Sequence, residues 1–167
     1  MRKLEGEEER KAMYYIDLAE RVAVNSTCLR AKCGCVIVKS GEIIGQGFNS
    51  PPAEREDQRK CLVEKYSLDE RVADKTCCIH AEQRAIINAL RKNPNKLNNS
   101  KLYFARLSLD NERVFSGKPY CTHCSKLALD LKISEFILFH EEGIFSYDTG
   151  EYNLISFDYK DDLTILD

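Results

Sequence analysis

His80-Ala81-Glu82 and Pro119-Tyr120-Cys121-Thr122-His123-Cys124 are the two stretches on which the fold and the chemistry of this chain depend most. Together they supply the imidazole of His80, two thiols and one carboxylate, while the ring of His123, between the two cysteines, is expected to point away from the metal side. A catalytic zinc ion takes three protein ligands of these kinds and keeps a fourth position for water, whose pKa it lowers to near neutrality. We therefore predict a zinc ion with His80, Cys121 and Cys124 as its ligands. Glu82, two residues beyond the histidine, is placed to move protons.

Both stretches are predicted to open helices. After Glu82, the residues Ala85, Ile86 and Ala89 recur at helical spacing and form a stripe that faces the core. The two cysteines are three residues apart and share a helix face, in a first turn where the helix dipole favours an anionic sulfur. Glu82 falls on an apolar face, where a bare charge is costly. A zinc site nearby explains why the charge is tolerated.

Each motif on its own has simpler explanations. A Cys-x-x-Cys pair also occurs as a redox pair or as half of a structural zinc site, and an isolated His-x-Glu carries almost no information. The combination is specific, because both motifs open a helix and the first follows a pair of cysteine-rich apolar strands. We therefore expect a catalytic zinc centre.

Length and composition indicate one soluble domain, 1–167. No apolar run reaches membrane-spanning length, and the charged residues Met1 to Lys11 lack the apolar stretch of a secretory signal. We therefore expect a cytoplasmic protein without a membrane partner. The net charge of −2 argues against an extended nucleic-acid surface.

Eight cysteines fit a reducing compartment, in which they stay thiols. Two belong to the predicted zinc centre, and Cys35 is expected to be a small core residue within a strand. The sequence leaves open a second, structural metal ion held by some of Cys28, Cys33, Cys61 and Cys78.

The apolar pattern predicts alternating helices and strands. A helix over 7–25 precedes strands over 34–38 and 42–49, which Lys39-Ser40-Gly41 joins in a tight hairpin. A charged insert leads to the helix of Glu82, which ends near Lys92 at Asn93-Pro94. Strands over 102–107 and 135–140 flank the cysteine helix. This order predicts an α/β fold with a mixed sheet and helices on both faces.

The C-terminal stretch allows two interpretations. In the favoured one, Asp148-Thr149 caps a short helix to about Phe157, which leaves room for a crossover to a fifth, parallel strand over 163–166. In the other, residues 153–159 are themselves the fifth strand.

The chain resembles the zinc-dependent cytidine and deoxycytidylate deaminase family, most closely its deoxycytidylate (dCMP) deaminase branch. Residues 26–30, 33–38, 43–49, 78–82 and the cysteine motif carry the resemblance, which covers 12–140. It implies a single deaminase domain with a three-layer α/β/α sandwich and a mixed sheet of about five strands. It also implies zinc at His80, Cys121 and Cys124, with Glu82 as the proton shuttle. Asn49 matches the position that usually contacts the sugar of the substrate.

Three features depart from the family pattern. Tyr120 stands between Pro119 and the first cysteine, Ser50 follows Asn49 where the branch commonly has Gly, and the loop 108–118 is longer than usual. We expect the substrate to contact Asn49, Ala81 and Tyr120. The sequence does not show how a phosphate is held, and the candidates are Arg30, Lys32, Arg55 and Arg106.

The favoured function is hydrolytic deamination of a free cytosine nucleoside or nucleotide, such as dCMP, by a homo-oligomer. The alternative is a cytosine or adenosine deaminase acting on single-stranded DNA or RNA, which needs a basic groove with stacking aromatic residues. Guanine, adenine or pterin substrates are further alternatives. A non-catalytic domain stabilised by zinc is the last, and in it Glu82 would be dispensable.

Overall fold

A mixed sheet with helices on both faces makes up the computed structural model, which describes residues 1–72 and 75–159. Within this part of the chain the strands are β1 (Arg2–Lys3), β2 (Lys32–Lys39), β3 (Glu42–Phe48), β4 (Lys101–Leu107), β5 (Arg113–Val114), β6 (Glu135–His140) and β7 (Gly143–Asp148). The helices are α1 (Gly6–Ala23), α2 (Ala81–Lys92), α3 (Thr122–Asp130) and α4 (Thr149–Phe157). The strand order is β1-β7-β6-β4-β2-β3, with β5 added beside β4, and β4 and β6 run parallel.

Successive side chains of the central strands point to opposite faces of the sheet, so they belong to two separate cores. Val36 and Val38 of β2 pack with α1 on one face of the sheet. Cys35 and Ile37 point to the other face and pack with α2, α3 and α4. The predicted three-layer α/β/α fold with a mixed sheet of about five strands is confirmed, since five strands are six to eight residues long and β1 and β5 are short additions.

The hairpin between β2 and β3 follows the prediction. Ser40 and Gly41 at its tip have φ angles of 51° and 85°, and Lys39 pairs with Glu42. Positive φ at both central residues gives a tight turn whose twist matches that of the strands.

Two glycines of β3 set the distance between the sheet and α2. A Cβ atom on Gly45 would lie 2.4 Å from the carbonyl oxygen of Ala85, and one on Gly47 would lie 2.5 Å from the amide nitrogen of Ala85. Real Cβ atoms essentially never make contacts this short. Glycine therefore lets α2, which begins one residue after His80, lie directly against the strand.

The C-terminal part differs from the prediction in its fifth strand. That strand is β7, which pairs antiparallel with β6 across a turn at Glu141-Glu142 and so needs no crossover. The predicted short helix is present as α4, where Asp148 Oδ1 accepts a hydrogen bond from the amide of Gly150 at 2.8 Å. The alternative strand over 153–159 is wrong, since α4 occupies most of this stretch. The strand expected over 163–166 lies outside the described residues.

The insert, residues 52–77, has little regular structure in its described residues. It contains single 3-10 turns at Pro52–Glu54, Glu56–Gln58 and Lys65–Ser67. Among its described residues Cys61 is the one buried side chain, while Leu62 and Tyr66 are 83% and 82% exposed. The insert therefore adds almost nothing to either core.

In the described part of the chain, the helices are too short or too polar to cross a membrane. The assignment of residues 1–167 to one domain stays a prediction.

Candidate metal centre and substrate cavity

The openings of α2 and α3 form the candidate metal centre. His80 precedes the first residue of α2, and its amide donates to Gln83 Oε1 at 2.9 Å. Cys121 precedes the first residue of α3, and its sulfur accepts a hydrogen bond from the amide of Cys124 at 3.4 Å. Amides of a first helical turn lack partners within the helix, so the sequence supplies one from a side chain at each opening.

The three predicted ligands lie together. His80 Nδ1 is 3.4 Å from Cys124 Sγ, and the ligand atoms of His80, Cys121 and Cys124 all lie within 4.8 Å of one another. Ligand atoms of a tetrahedral zinc site with one nitrogen and two sulfurs are separated by about 3.5–3.8 Å, given the usual zinc bond lengths. The donor set and its spacing therefore fit zinc without rearrangement of the backbone.

The two thiols of the centre shift each other's pKa in opposite directions. The hydrogen bond from Cys124 is the largest influence on Cys121 and lowers the pKa of its thiol to about 4, although burial acts in the opposite direction. The same hydrogen bond, together with burial, raises the pKa of Cys124 well above its usual value. A metal ion needs thiolate ligands, and the lowered pKa of Cys121 favours this form.

Glu82 is a buried carboxylate beside this centre. Its residue is only 5% exposed, and burial is the main reason why its pKa is raised, with the nearby His80 lowering it and Cys121 raising it further. A raised pKa makes a carboxylate a better proton acceptor. Proton transfer is therefore the chemistry that this side chain can perform.

A cavity of about 360 Å³ opens onto the centre. Its wall includes all the predicted site residues except the two cysteines, namely Asn49, His80, Ala81, Glu82 and Tyr120. The cavity is within the size range of small-molecule sites.

Among the described residues, five cationic side chains line the cavity. Of the four phosphate candidates, Arg30 and Arg106 are in its wall. The other two have partners elsewhere, since Lys32 donates to Asn111 and Arg55 pairs with Asp57. Sequence reasoning missed the remaining three cations, Lys60, Lys75 and Lys118.

Asn49 is 8% exposed and its amide is already used within the protein. Its Oδ1 accepts from Ser26 Oγ at 2.6 Å and from the amide of Cys33 at 2.8 Å, and its Nδ2 donates to the carbonyl of Ala31 at 3.0 Å. These bonds hold the loop after α1 against the end of β3. An amide nitrogen carries two hydrogens, so Asn49 can hold the loop and still donate to a ligand.

Tyrosines form the aromatic side of the cavity. The ring of Tyr120 lies 6.1 Å from that of His80 and 5.3 Å from that of Tyr159, and Tyr120 is half exposed. Tyr152 and Tyr159 also line the cavity, and sequence reasoning missed both because α4 reaches the site only through tertiary packing.

A three-layer α/β domain with His, two Cys and a buried Glu at two helix openings has the design of a zinc-dependent hydrolytic deaminase. Residues 9–140 match the family model of the cytidine and deoxycytidylate deaminase zinc-binding region, and the chain belongs to this family. The resemblance predicted from the sequence is confirmed, and so is zinc as the metal of the family.

Two curated relatives are deoxycytidylate deaminases of yeasts. The protein of Schizosaccharomyces pombe is 30% identical over 93 residues, which are 54% of this chain and 28% of that protein. The protein of Saccharomyces cerevisiae is 30% identical over 125 residues, which are 74% of this chain and 36% of that protein. The chain thus spans about a third of the length of these relatives.

Two solved structures share the fold. The dCMP deaminase of cyanophage S-TIM5 in apo form is similar with a TM-score of 0.51 and 21% identity, covering 76% of this chain and 80% of that one. The cytidine deaminase of Burkholderia pseudomallei gives a TM-score of 0.54 at 16% identity, covering 84% of this chain and 94% of that one. At these identities the likeness concerns the fold.

Proposed function

We propose that this chain catalyses the hydrolytic deamination of a free cytosine nucleotide, with dCMP as the favoured substrate. The observation that carries the proposal is Glu82, a buried carboxylate that faces the His80, Cys121 and Cys124 group in the wall of a nucleotide-sized cavity. A non-catalytic zinc domain would have no use for a buried charge at this place. The deoxycytidylate deaminases among the relatives support the choice of substrate.

Zinc bound by His80, Cys121 and Cys124 supplies a Lewis acid that lowers the pKa of water. The protein's own contribution is proton transfer by Glu82. The carboxylate accepts a proton from the attacking water, whose oxygen bonds to C4 of cytosine. Glu82 passes this proton to N3, then takes the second proton from the new C4 hydroxyl and delivers it to the amine. The C4–N4 bond breaks as the C4=O bond forms, and the uracil product and ammonia are left. Burial of Glu82 suits it to the first half of this exchange, because a raised pKa makes the carboxylate a stronger base towards the attacking water.

Different groups of the cavity wall are assigned to the base, the sugar and the phosphate of the substrate. The Ala81 side chain is fully buried, so its backbone amide, at the opening of α2, is the group that we assign to a base carbonyl. The second amide hydrogen of Asn49 is assigned to the sugar, and the exposed ring of Tyr120 to the face of the base. The five cations of the wall suit the phosphate of a nucleotide.

Ammonia release tests the proposal, with dCMP, deoxycytidine, cytosine and a short cytosine oligonucleotide compared over a salt series. We expect the highest kcat/KM for dCMP and a shallow salt dependence, because a mononucleotide makes one or two phosphate contacts. A polymer that contacts many phosphates releases many counterions and gives a steep salt dependence. A better oligonucleotide substrate with a steep salt dependence would overturn the proposal in favour of a nucleic-acid deaminase.

The role of Glu82 has a matched test. Glu82→Gln keeps the size of the side chain but cannot accept the proton, so turnover should fall by at least ~10²–10⁴-fold while zinc content and Tm persist. Glu112→Gln is the control, because Glu112 is exposed on the loop before β5 and should keep full activity. Near-normal turnover of Glu82→Gln would contradict the proposed proton shuttle.

A cytoplasmic location and a homo-oligomeric state belong to the same proposal. Support for an oligomer comes from α4, where Leu154 and Phe157 are 71% and 60% exposed. Large apolar side chains clustered on a helix surface are typical of protein interfaces.

A further inference from the structure

A second group of thiols lies outside the His80 centre. The sulfur atoms of Cys28, Cys61 and Cys78 all lie within 4.8 Å of one another. Cys77 lies beside this group, since its sulfur is 3.2 Å from that of Cys61, although it is not within 4.8 Å of all three sulfur atoms. Cys33, which the sequence also offered as a candidate ligand, is not in the group. These four residues are called the thiol cluster below.

The thiol cluster joins three segments that are distant in sequence. Cys28 belongs to the loop after α1, Cys61 to the insert, and Cys77 and Cys78 to the stretch before α2. The insert needs an anchor of this kind, because Cys61 is the one buried side chain among its described residues. A loop of this length without helices or strands is uncommon in a compact domain, and a structural metal ion is a known substitute for a hydrophobic core.

The surroundings of the cluster suit thiolates. The backbone amide of Lys60 donates to Cys77 Sγ at 2.9 Å, and Arg59 Nη1 donates to Cys61 Sγ at 3.5 Å. Arg30 Nε donates to the carbonyl of Cys61 at 3.1 Å. Four thiolates around a divalent ion leave two negative charges. The guanidinium of Arg30 is close enough to offset part of this charge, whereas that of Arg59 also pairs with Glu56. Hydrogen bonds and charges of this kind support the ligands of a metal site.

We propose that Cys28, Cys61, Cys77 and Cys78 bind a second zinc ion. Four thiolates make a closed site, which is the structural type, whereas the His80 centre has three ligands and an open position. Thiolate ligands select zinc over harder ions such as magnesium. The sulfur spacing of a tetrahedral zinc site is about 3.8 Å, which is close to the 3.2 Å between Cys61 and Cys77 and within the 4.8 Å limit on the sulfur atoms of Cys28, Cys61 and Cys78.

The second ion would hold the cavity wall in place without taking part in the reaction. Cys78 lies two residues before His80, and Cys28 lies two residues after Ser26, whose hydroxyl donates to Asn49. All four cluster residues also line the cavity. Loss of the ion should therefore loosen the wall that holds the substrate, and in the activity assay of the proposed function it should raise KM more than it lowers kcat.

Metal analysis of the purified full chain tests the site, and it does not depend on turnover. Reduced wild-type protein should hold about two zinc equivalents. Cys61→Ser and Cys28→Ser should each hold about one, His80→Ala should hold one, and the control Cys33→Ala should hold two. A variant that keeps two equivalents after Cys61→Ser would overturn the proposal, as would wild-type protein with one equivalent and a Cys61–Cys77 disulfide. If dCMP is not a substrate but the metal counts hold, the proposed function fails and the second site stands.

If the cysteine variants do not fold, cobalt substitution of the wild-type protein tests the second site instead. Charge-transfer absorption from sulfur to cobalt grows with the number of thiolate ligands. Wild-type protein with both sites filled has six thiolates, against two for the His80 centre alone, so absorption should be about threefold that expected for one catalytic site. Absorption that matches two thiolates per chain would overturn the proposal.

Discussion

Replacing Gly47 with alanine should push the opening of α2 away from the sheet. The added Cβ would lie 2.5 Å from the amide nitrogen of Ala85, 2.6 Å from Arg84 Cβ and 2.7 Å from the carbonyl oxygen of Ala81. Ordinary contacts begin at 3.4 Å, so the closest atom must move by the difference, about 0.9 Å. Two of the three atoms belong to the backbone, so rotation of a side chain cannot relieve the contact.

This displacement should reduce both stability and turnover. Overpacking of a fitted interface costs about 1–3 kcal/mol of the free energy of unfolding, and each kcal/mol lowers Tm by roughly 2–4 °C in a chain of this size. Glu82 is on the displaced turn of α2, and a misplacement of about 1 Å lowers catalysis by ~10²-fold. Gly47→Ala should therefore show a lower Tm and a much lower kcat/KM for dCMP.

Gln46→Ala is the control for this prediction. Gln46 is on the same strand, but its side chain is exposed, so its loss should change the free energy of unfolding by no more than about 0.5 kcal/mol. Thermal unfolding and ammonia release should be measured on both variants, to test whether the packing of Gly47 against α2 positions the site. If Gly47→Ala keeps the Tm and the kcat/KM of the wild type, the close approach of β3 to α2 does not position the site.

Three further predictions concern metal, assembly and pH. Dialysis against a chelator should abolish turnover and lower Tm, because a bound ion stabilises the folded state, and added zinc should restore both; activity that survives full removal of zinc would refute this. Light scattering should give a multiple of the 19.2 kDa chain mass, and Leu154→Asp should reduce it, whereas a monomer mass for the wild type contradicts the oligomer. Burial lowers the pKa of His140 from its ordinary value of 6.5 despite the nearby Glu142, and its Nε2 lies 3.1 Å from the hydroxyl of Tyr147. The unfolded chain therefore binds more protons than the folded one just below pH 6.5, so stability should fall as pH drops through this range; an equally steep fall in His140→Gln would exclude His140 as the cause.

The parts of the fold that the sequence predicted are those with local signals. The hairpin at Ser40-Gly41 and the stripe of Ala85, Ile86 and Ala89 each follow from spacing within a few residues. The strand β7 was missed, although Ile144, Phe145 and Tyr147 favour strands and follow a turn. Its conformation is set by pairing with β6, which is a tertiary contact.

The same distinction applies to the site. The conjunction of His80, Glu82 and the cysteine motif predicted which residues would meet at two helix openings. Lys60, Lys75 and Cys77 reach the cavity through the path of the insert, which has no periodicity from which a direction could be predicted. Tyr159 reaches it through the packing of α4, and a single sequence carries no signal for such a contact.

The cavity wall comes from two parts of the chain, one packed into the core and one with almost no buried side chains in its described part. His80, Ala81 and Glu82 belong to the packed end of α2, whereas Lys60 and Lys75 belong to an insert with one buried side chain among its described residues. Substitutions at these two lysines remove almost no core contact, so they should be nearly neutral for folding. Mutation can therefore explore new ligand preferences in the insert while the reactive groups stay fixed, and this separation makes the fold easy to diversify.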